Sequence, residues 1–210
     1  MPSEPARDDE EQARMTLSEE TQPLTSLRLR GQRIKARVTV YEDEARRRAE
    51  VGLGAVDSRS LLTRLYELPV DVPVSLHALD AYSLRALRAA PPGVVDLHEA
   101  RGLAVRRLAP VARVELALVE GSGWAEVVRS ASQFGPFCAR GVVVPEGEAD
   151  LDLLLLKARF YGVGVGFAAD GAPHSPHWLL APAPYRPRRH SPAQWLFHEQ
   201  AWRQLVPEAH

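Results

Sequence analysis

Five basic side chains stand close together in "RLRGQRIKAR": Arg28, Arg30, Arg33, Lys35 and Arg37. Guanidinium groups at this density suit phosphate recognition, because each offers a planar fork of donors that matches two phosphate oxygens. The alternative is a solvated basic surface. A second group is the histidines, His174 and His177 in "PHSPH", with His190 and His198 downstream. Zinc needs converging ligands held by an oriented second layer of hydrogen bonds. A His-x-x-His in a proline-rich segment supplies neither, so these are expected to be surface histidines. The third element is "VELALVEG" (114–121), an aliphatic strand carrying one carboxylate, Glu115, with Ala117 two positions on. Two other chemistries fail for want of context. No strand–Gly-x-Ser-x-Gly–helix segment supports a serine hydrolase. "GVGVGF" follows a helix and has none after it, so it is not a phosphate loop, and its glycines point to close packing within a strand.

Composition sets the frame for these residues. The chain has 210 residues, 45% apolar and 25% charged, with a net charge of −1. That is ordinary for a globular protein and argues against a general polyanion sponge. The single cysteine, Cys138, excludes an intramolecular disulfide and reads as a small core residue. Only Lys35 and Lys157 are lysines among 26 basic residues, a bias that fits a high-GC bacterial genome. No signal segment opens the chain and no apolar run approaches a membrane span, so a cytoplasmic location and no membrane partner are expected.

The elements that must position these residues follow from periodicity. Residues 1–27 are acidic and proline-bearing, and are expected to form a disordered tail. "RIKARVTV" alternates as a half-buried strand, with "AEVGLGAV" (49–56) as hairpin partner and "EDEARRR" as a polar turn or helical cap, making 28–56 a basic hairpin-like segment. "DSRSLLTRLYEL" is a helix capped by Asp57 or Ser58 and ended by Pro69. Ser75 caps a further short helix, and an apolar stripe through Leu79, Leu84 and Leu87 stops at Pro91–Pro92–Gly93. "GVVDLHEARGLAVRRLAP" reads as two strands around a turn at "EARG".

From 110 the order is strand (112–121), helix (124–138), buried strand "ARGVVVPEG", helix "EADLDLLLLKARFYG" with Gly162 as left-handed cap, and strand "VGVGFAADG". Residues 110–182 form this α/β core. Residues 183–210 are a proline-rich linker and a helix with Ser191 as N-cap, Pro192 in its first turn, and Trp195 and Trp202 docking on the chain's own core.

Residues 57–109 resemble a winged helix-turn-helix, on the phrasing "LYELPVDVPVSLHAL…LRALRAAPPGVVDL". The resemblance implies that the helix carrying Tyr82, Ser83, Arg85 and Arg88 faces the DNA major groove, and that Arg101, Arg106 and Arg107 on the wing reach phosphates. Residues about 94–170 resemble the core of the PD-(D/E)XK, or restriction-endonuclease-like, superfamily. The carriers are "VELALVEG", Gln133-x-x-x-Phe137 where many members have Gln-x-x-x-Tyr, "RGVVVPE" and "ARFYGVGVGF". That resemblance implies a mixed sheet flanked by helices, with Mg²⁺ or Mn²⁺ held between Asp96 and Glu115 beside a Glu-x-Lys lysine. Here the lysine's place is taken by Ala117; Lys157 lies a helix and a strand later, and Lys35 in a different region.

The expectation is therefore an α/β protein that binds DNA without catalysis, in regulation, repair or defence, on a degenerate nuclease-like fold. The alternatives are a divergent metal-dependent nuclease using Asp96, Glu115 and Gln133, and a protein–protein adaptor or homodimer. No cofactor is expected apart from the metal of the nuclease alternative.

Overall fold

The computed structural model describes residues 23–148, 150–168, 176–186 and 190–206. The chain is α/β, with a mixed six-stranded sheet, a separate three-stranded sheet and flanking helices. It divides into two compact units: Met1–Val38 with Glu115–Tyr185, and Thr39–Val114 with Arg186–His210.

In the first unit, β1 (Thr25–Leu29) and β2 (Gln32–Val40) form an antiparallel hairpin. Its two-residue turn places Arg30 and Gly31 both at positive φ (52° and 77°), the signature that matches the twist of the flanking strands. The hairpin partner of the basic strand is thus the segment before it, not "AEVGLGAV", and β1 starts at Thr25, inside the expected tail. Strand β6 (Ala112–Glu120) follows β2 in the sheet order β1-β2-β6-β7-β8-β9. Helix α4 (Trp124–Ser132) leads to β7 (Ala139–Val144), and helix α5 (Leu151–Tyr161) to β8 (Gly164–Phe167). β6, β7 and β8 run parallel, which requires such crossovers. Helix α4 stops at Ser132, so Gln133 and Phe137 do not share it as expected.

Gly162 caps α5 at φ 66° as read from sequence. The strand β9 (His177–Leu180) was read only as proline-rich loop; it pairs antiparallel with β8 and brings Trp178 over the sheet. Gly141 and Gly164 are cross-strand neighbours, and a methyl group on either would stand 2.8 or 2.7 Å from the Trp178 ring. That close approach accounts for glycine in these two strands. The turn expected at Asp170 and Gly171 lies outside the described residues.

In the second unit, of the turn and the short helical cap expected at "EDEARRR", the helical alternative holds and is longer, as helix α1 (Glu42–Glu50). Helix α2 (Arg59–Tyr66) is capped by Ser58, whose hydroxyl accepts from the Leu61 amide. A short strand β3 (Pro73–Ser75) precedes a single 3₁₀ turn (Leu76–Ala78) and helix α3 (Ala81–Arg88). β4 (Val95–His98) and β5 (Leu103–Arg106) flank the turn at Glu99–Arg101, and the sheet order is β3-β5-β4. Helix α6 (Pro192–Leu205) starts at Ser191, whose hydroxyl accepts from the Gln194 amide. Leu62, Leu65, Leu87, Val94, Leu108 and Trp195 build this unit's core, so the terminal helix docks on the chain itself. The C-terminal segment therefore belongs with the central residues rather than standing as a separate linker and helix. No helix among the described residues is long and apolar enough to cross a membrane.

Candidate functional site

The β1–β2 register separates the hairpin into two chemically opposite faces. Leu27 stands opposite Ile34, and these two, with Leu29 and Ala36, are buried. On the other face Ser26 stands opposite Lys35, and Arg28 directly opposite Arg33, with Arg28, Arg33 and Lys35 exposed. Like charges directly across a ladder destabilise it, by a fraction of the roughly 0.2–1 kcal/mol typical of such pairs. Lys35 is steadied by Glu120 of β6 at 2.7 Å, with both side chains about half exposed. Lys35 is therefore not remote from the Glu115 strand, as sequence order suggested, but paired to its far end. Arg30, at the turn, lays its guanidinium 5.2 Å from the centre of the Phe137 ring. Arg37 is half-buried farther along β2. The arrangement presents fixed positive charge with planar forks, the geometry that phosphate oxygens accept.

The second candidate surface is α3. Its N-cap Asp80 accepts from the Ser83 amide (2.7 Å) and from the Ser83 hydroxyl (3.1 Å). The amide hydrogen bond, aided by the Ser83 hydroxyl and the charge of Arg64, holds the Asp80 carboxyl below its ordinary range despite desolvation. Ser83 is buried by this cap and cannot read a groove. Tyr82, 74% exposed, and Arg85 face solvent. Arg88 is engaged two-point by Glu99 (2.9 and 3.2 Å), and Arg107 by Asp96 (2.7 Å) and Asp71 (2.8 Å). These pairs are exposed, so a phosphate can compete for either arginine. Arg101 is exposed. Arg106 is a correction: it is buried and donates to the Leu65, Leu68 and Leu108 carbonyls, so it is no phosphate contact.

The carboxylates of the nuclease reading stand in different sheets. Asp96 lies on β4 of the small sheet, held by Arg107, and Glu115 on β6 of the large one. The strands beside β6 are β2, "QRIKARVTV", and β7, "ARGVVV", and neither carries a carboxylate. Ala117 is fully buried and Lys157 is exposed on α5. Gln133 is exposed just past α4. Among the described residues no group of three or more His, Cys, Asp and Glu is placed to hold a metal. Sequence order made Asp96 look like the partner of Glu115 because the strands follow one another along the chain; sheet pairing goes elsewhere.

His177 and His190 are exposed, and His174 lies outside the described residues. His198 contradicts the surface expectation: it is buried, and its Nδ1 accepts from the Val114 amide at 3.1 Å. Cys138 is buried as expected, and burial pushes its thiol up to about 12, which leaves it inert as a nucleophile.

The cross-strand arginine pair had a signal that sequence reading passed over. "SLRLRGQRIK" alternates apolar and basic on both sides of an Arg-Gly turn, the pattern of a hairpin with one buried face. Compared with known proteins, the chain matches no family profile, no curated protein and no solved structure.

Proposed function

We propose that the chain binds duplex DNA without cleaving it, with the basic face of the β1–β2 hairpin as its phosphate contact. The observation that carries this is the direct apposition of Arg28 and Arg33 beside Lys35. Basic side chains side by side on one exposed strand face can meet neighbouring phosphates together. The succession helix, strand, short turn, helix, strand, strand, with β3 next to β5, supports a winged-helix reading of the second unit. In that reading α3 presents Tyr82 and Arg85 to the groove, and Arg88, Arg101 and Arg107 lie toward the backbone. The parallel β6-α4-β7-α5-β8 succession supports a restriction-endonuclease-like reading of the first unit. A β2 strand without carboxylates and the absence of a lysine at position 117 argue against catalysis.

Anisotropy of a labelled duplex, titrated without divalent metal at several salt concentrations, tests the proposal. Log affinity should fall linearly with log salt, and the Arg28→Gln/Arg33→Gln variant should flatten the slope by about 2, at ~0.9 per phosphate contact. No binding at low salt, or an unchanged slope, would reject it.

A protein partner, a second copy included, is the second reading. Leu153, Leu156 and Phe160 form an exposed apolar stripe along α5, at the spacing of one helix face. Sedimentation of the chain and of Leu156→Asp separates a self-associating stripe from an unused one.

A further inference from the structure

Beyond DNA binding, the second unit holds a cavity of about 460 Å³ against the first two turns of α6. Ser191, Gln194, Trp195 and His198 lie on one face of that helix and form one wall. Tyr41, Tyr66 and Pro110 add two aromatic rings and a proline ring to the lining. The Tyr66 hydroxyl is used in donating to the His190 carbonyl (2.8 Å), so the tyrosine offers its ring.

Three buried polar side chains belong to the lining: Arg106, Gln194 and His198. Arg106 is 8% exposed and forms no ion pair among the described residues. Its Nε donates to the Leu108 carbonyl (2.7 Å) and its Nη1 to those of Leu65 and Leu68 (both 2.9 Å). Nη2 keeps both hydrogens without an acceptor among the described residues. The guanidinium lies 4.6 Å over the Trp195 ring, a cation on an aromatic wall that Glu44 acts on through its charge but not through a hydrogen bond. Gln194 is 4% exposed and lines the cavity. Its side-chain amide offers both donors and an acceptor to an occupant there. His198 accepts at Nδ1 from Val114, which places its proton on Nε2 and leaves a neutral donor. Arg113, half-buried, adds a second positive charge to the lining.

We infer that this cavity binds a small organic acid with a flat, apolar or aromatic body and one carboxylate. The body would lie against Tyr41, Tyr66 and Trp195, and the carboxylate would take the Nη2 donors of Arg106 and the Gln194 amide. The volume falls in the range of sites for small ligands. A bare phosphate ion would leave the aromatic wall in water, which disfavours an inorganic occupant.

Calorimetric titration of the full chain, without DNA, tests this with 2-naphthoate and its uncharged analogue 2-naphthylmethanol. The acid should bind with a Kd of about 1 mM or tighter, and at least about tenfold tighter than the alcohol. Gln194→Leu, which keeps the side-chain bulk, should weaken the acid about tenfold and leave the alcohol unchanged. Tyr41→Ala, at the half-exposed mouth, should weaken both, and a thermal melt confirms that each variant is folded. Equal affinity for acid and alcohol, no binding of the acid, or acid affinity unchanged in Gln194→Leu overturns the proposal.

Discussion

Arg48 and Glu199 meet as a parallel two-point pair, Nη1 to Oε2 and Nη2 to Oε1, each 2.8 Å, with both side chains 1% exposed. The remaining groups are also answered. Arg48 Nε donates to Glu44 (2.8 Å) and Nη2 to the Ala109 carbonyl (2.7 Å), while Glu199 accepts from the Val56 amide and from Trp195 Nε1. The network ties α1 to α6 and holds the terminal helix on the core.

Glu199→Leu would leave the buried Arg48 guanidinium with Glu44 at Nε but no carboxylate across its Nη1–Nη2 fork, and should cost about 3–5 kcal/mol in urea unfolding. Pairing it with Arg48→Met removes the stranded charge and should recover a large part of that loss. A single variant that costs less than about 1 kcal/mol would mean the pair is not buried in solution as it is here.

This network also explains where sequence reading succeeded and failed. Local chemistry was legible: Ser58 and Ser191 as caps, Pro192 in the first turn, Gly162 at a left-handed end, and the turn at "EARG" each act within a few residues. Helix α1 was not legible, because its two buried residues are Glu44 and Arg48, and a hydrophobic pattern cannot see a buried ion pair. Arg106 looks like a wing arginine in sequence because a guanidinium buried against backbone carbonyls leaves no hydrophobic pattern either. β1 was lost to the acidic composition before it, although Leu27 and Leu29 alternate with Arg28 and Arg30. The metal pair failed because neighbours in a sheet are set by packing, and β6 lies between β2 and β7 while β4 belongs to the other sheet.

His198 should make stability depend on pH. Burial, with smaller contributions from the charges of Arg113 and His190, lowers its pKa from 6.5 to about 4. Between these values the unfolded chain holds the extra proton and the folded chain does not, so stability rises with pH through the window. The contribution is fully present above about pH 6.5 and lost as pH falls through 4, up to ~3 kcal/mol in all. Urea unfolding across pH 4–7 should show that slope, and His198→Gln, which can still accept from Val114, should flatten it. An equally steep profile in the variant would assign the slope to other groups.

Arg106→Met should destabilise the second unit by about 2–4 kcal/mol, because three carbonyls lose their donor, two of them at the C-terminal end of α2. Lysine cannot replace it, having no fork to reach three acceptors at once. The salt dependence of DNA binding should be unchanged in any fraction that remains folded. A flatter slope with normal stability would restore Arg106 to the role of a wing contact.

Arg33→Glu should move stability and binding in opposite directions. The substitution replaces a like-charge pair across the ladder by an opposite-charge pair with Arg28, which should stabilise the hairpin by about 0.2–1 kcal/mol. The same change removes one phosphate contact and adds a repelling carboxylate, so duplex affinity should fall and its salt slope flatten by about 1. Urea unfolding and anisotropy on the same preparation read both quantities. A more stable chain that binds DNA less well is what a functional basic face requires. A variant that gains stability and keeps its affinity would show that the hairpin is only a solvated edge, and that the phosphate contact must be sought on α3.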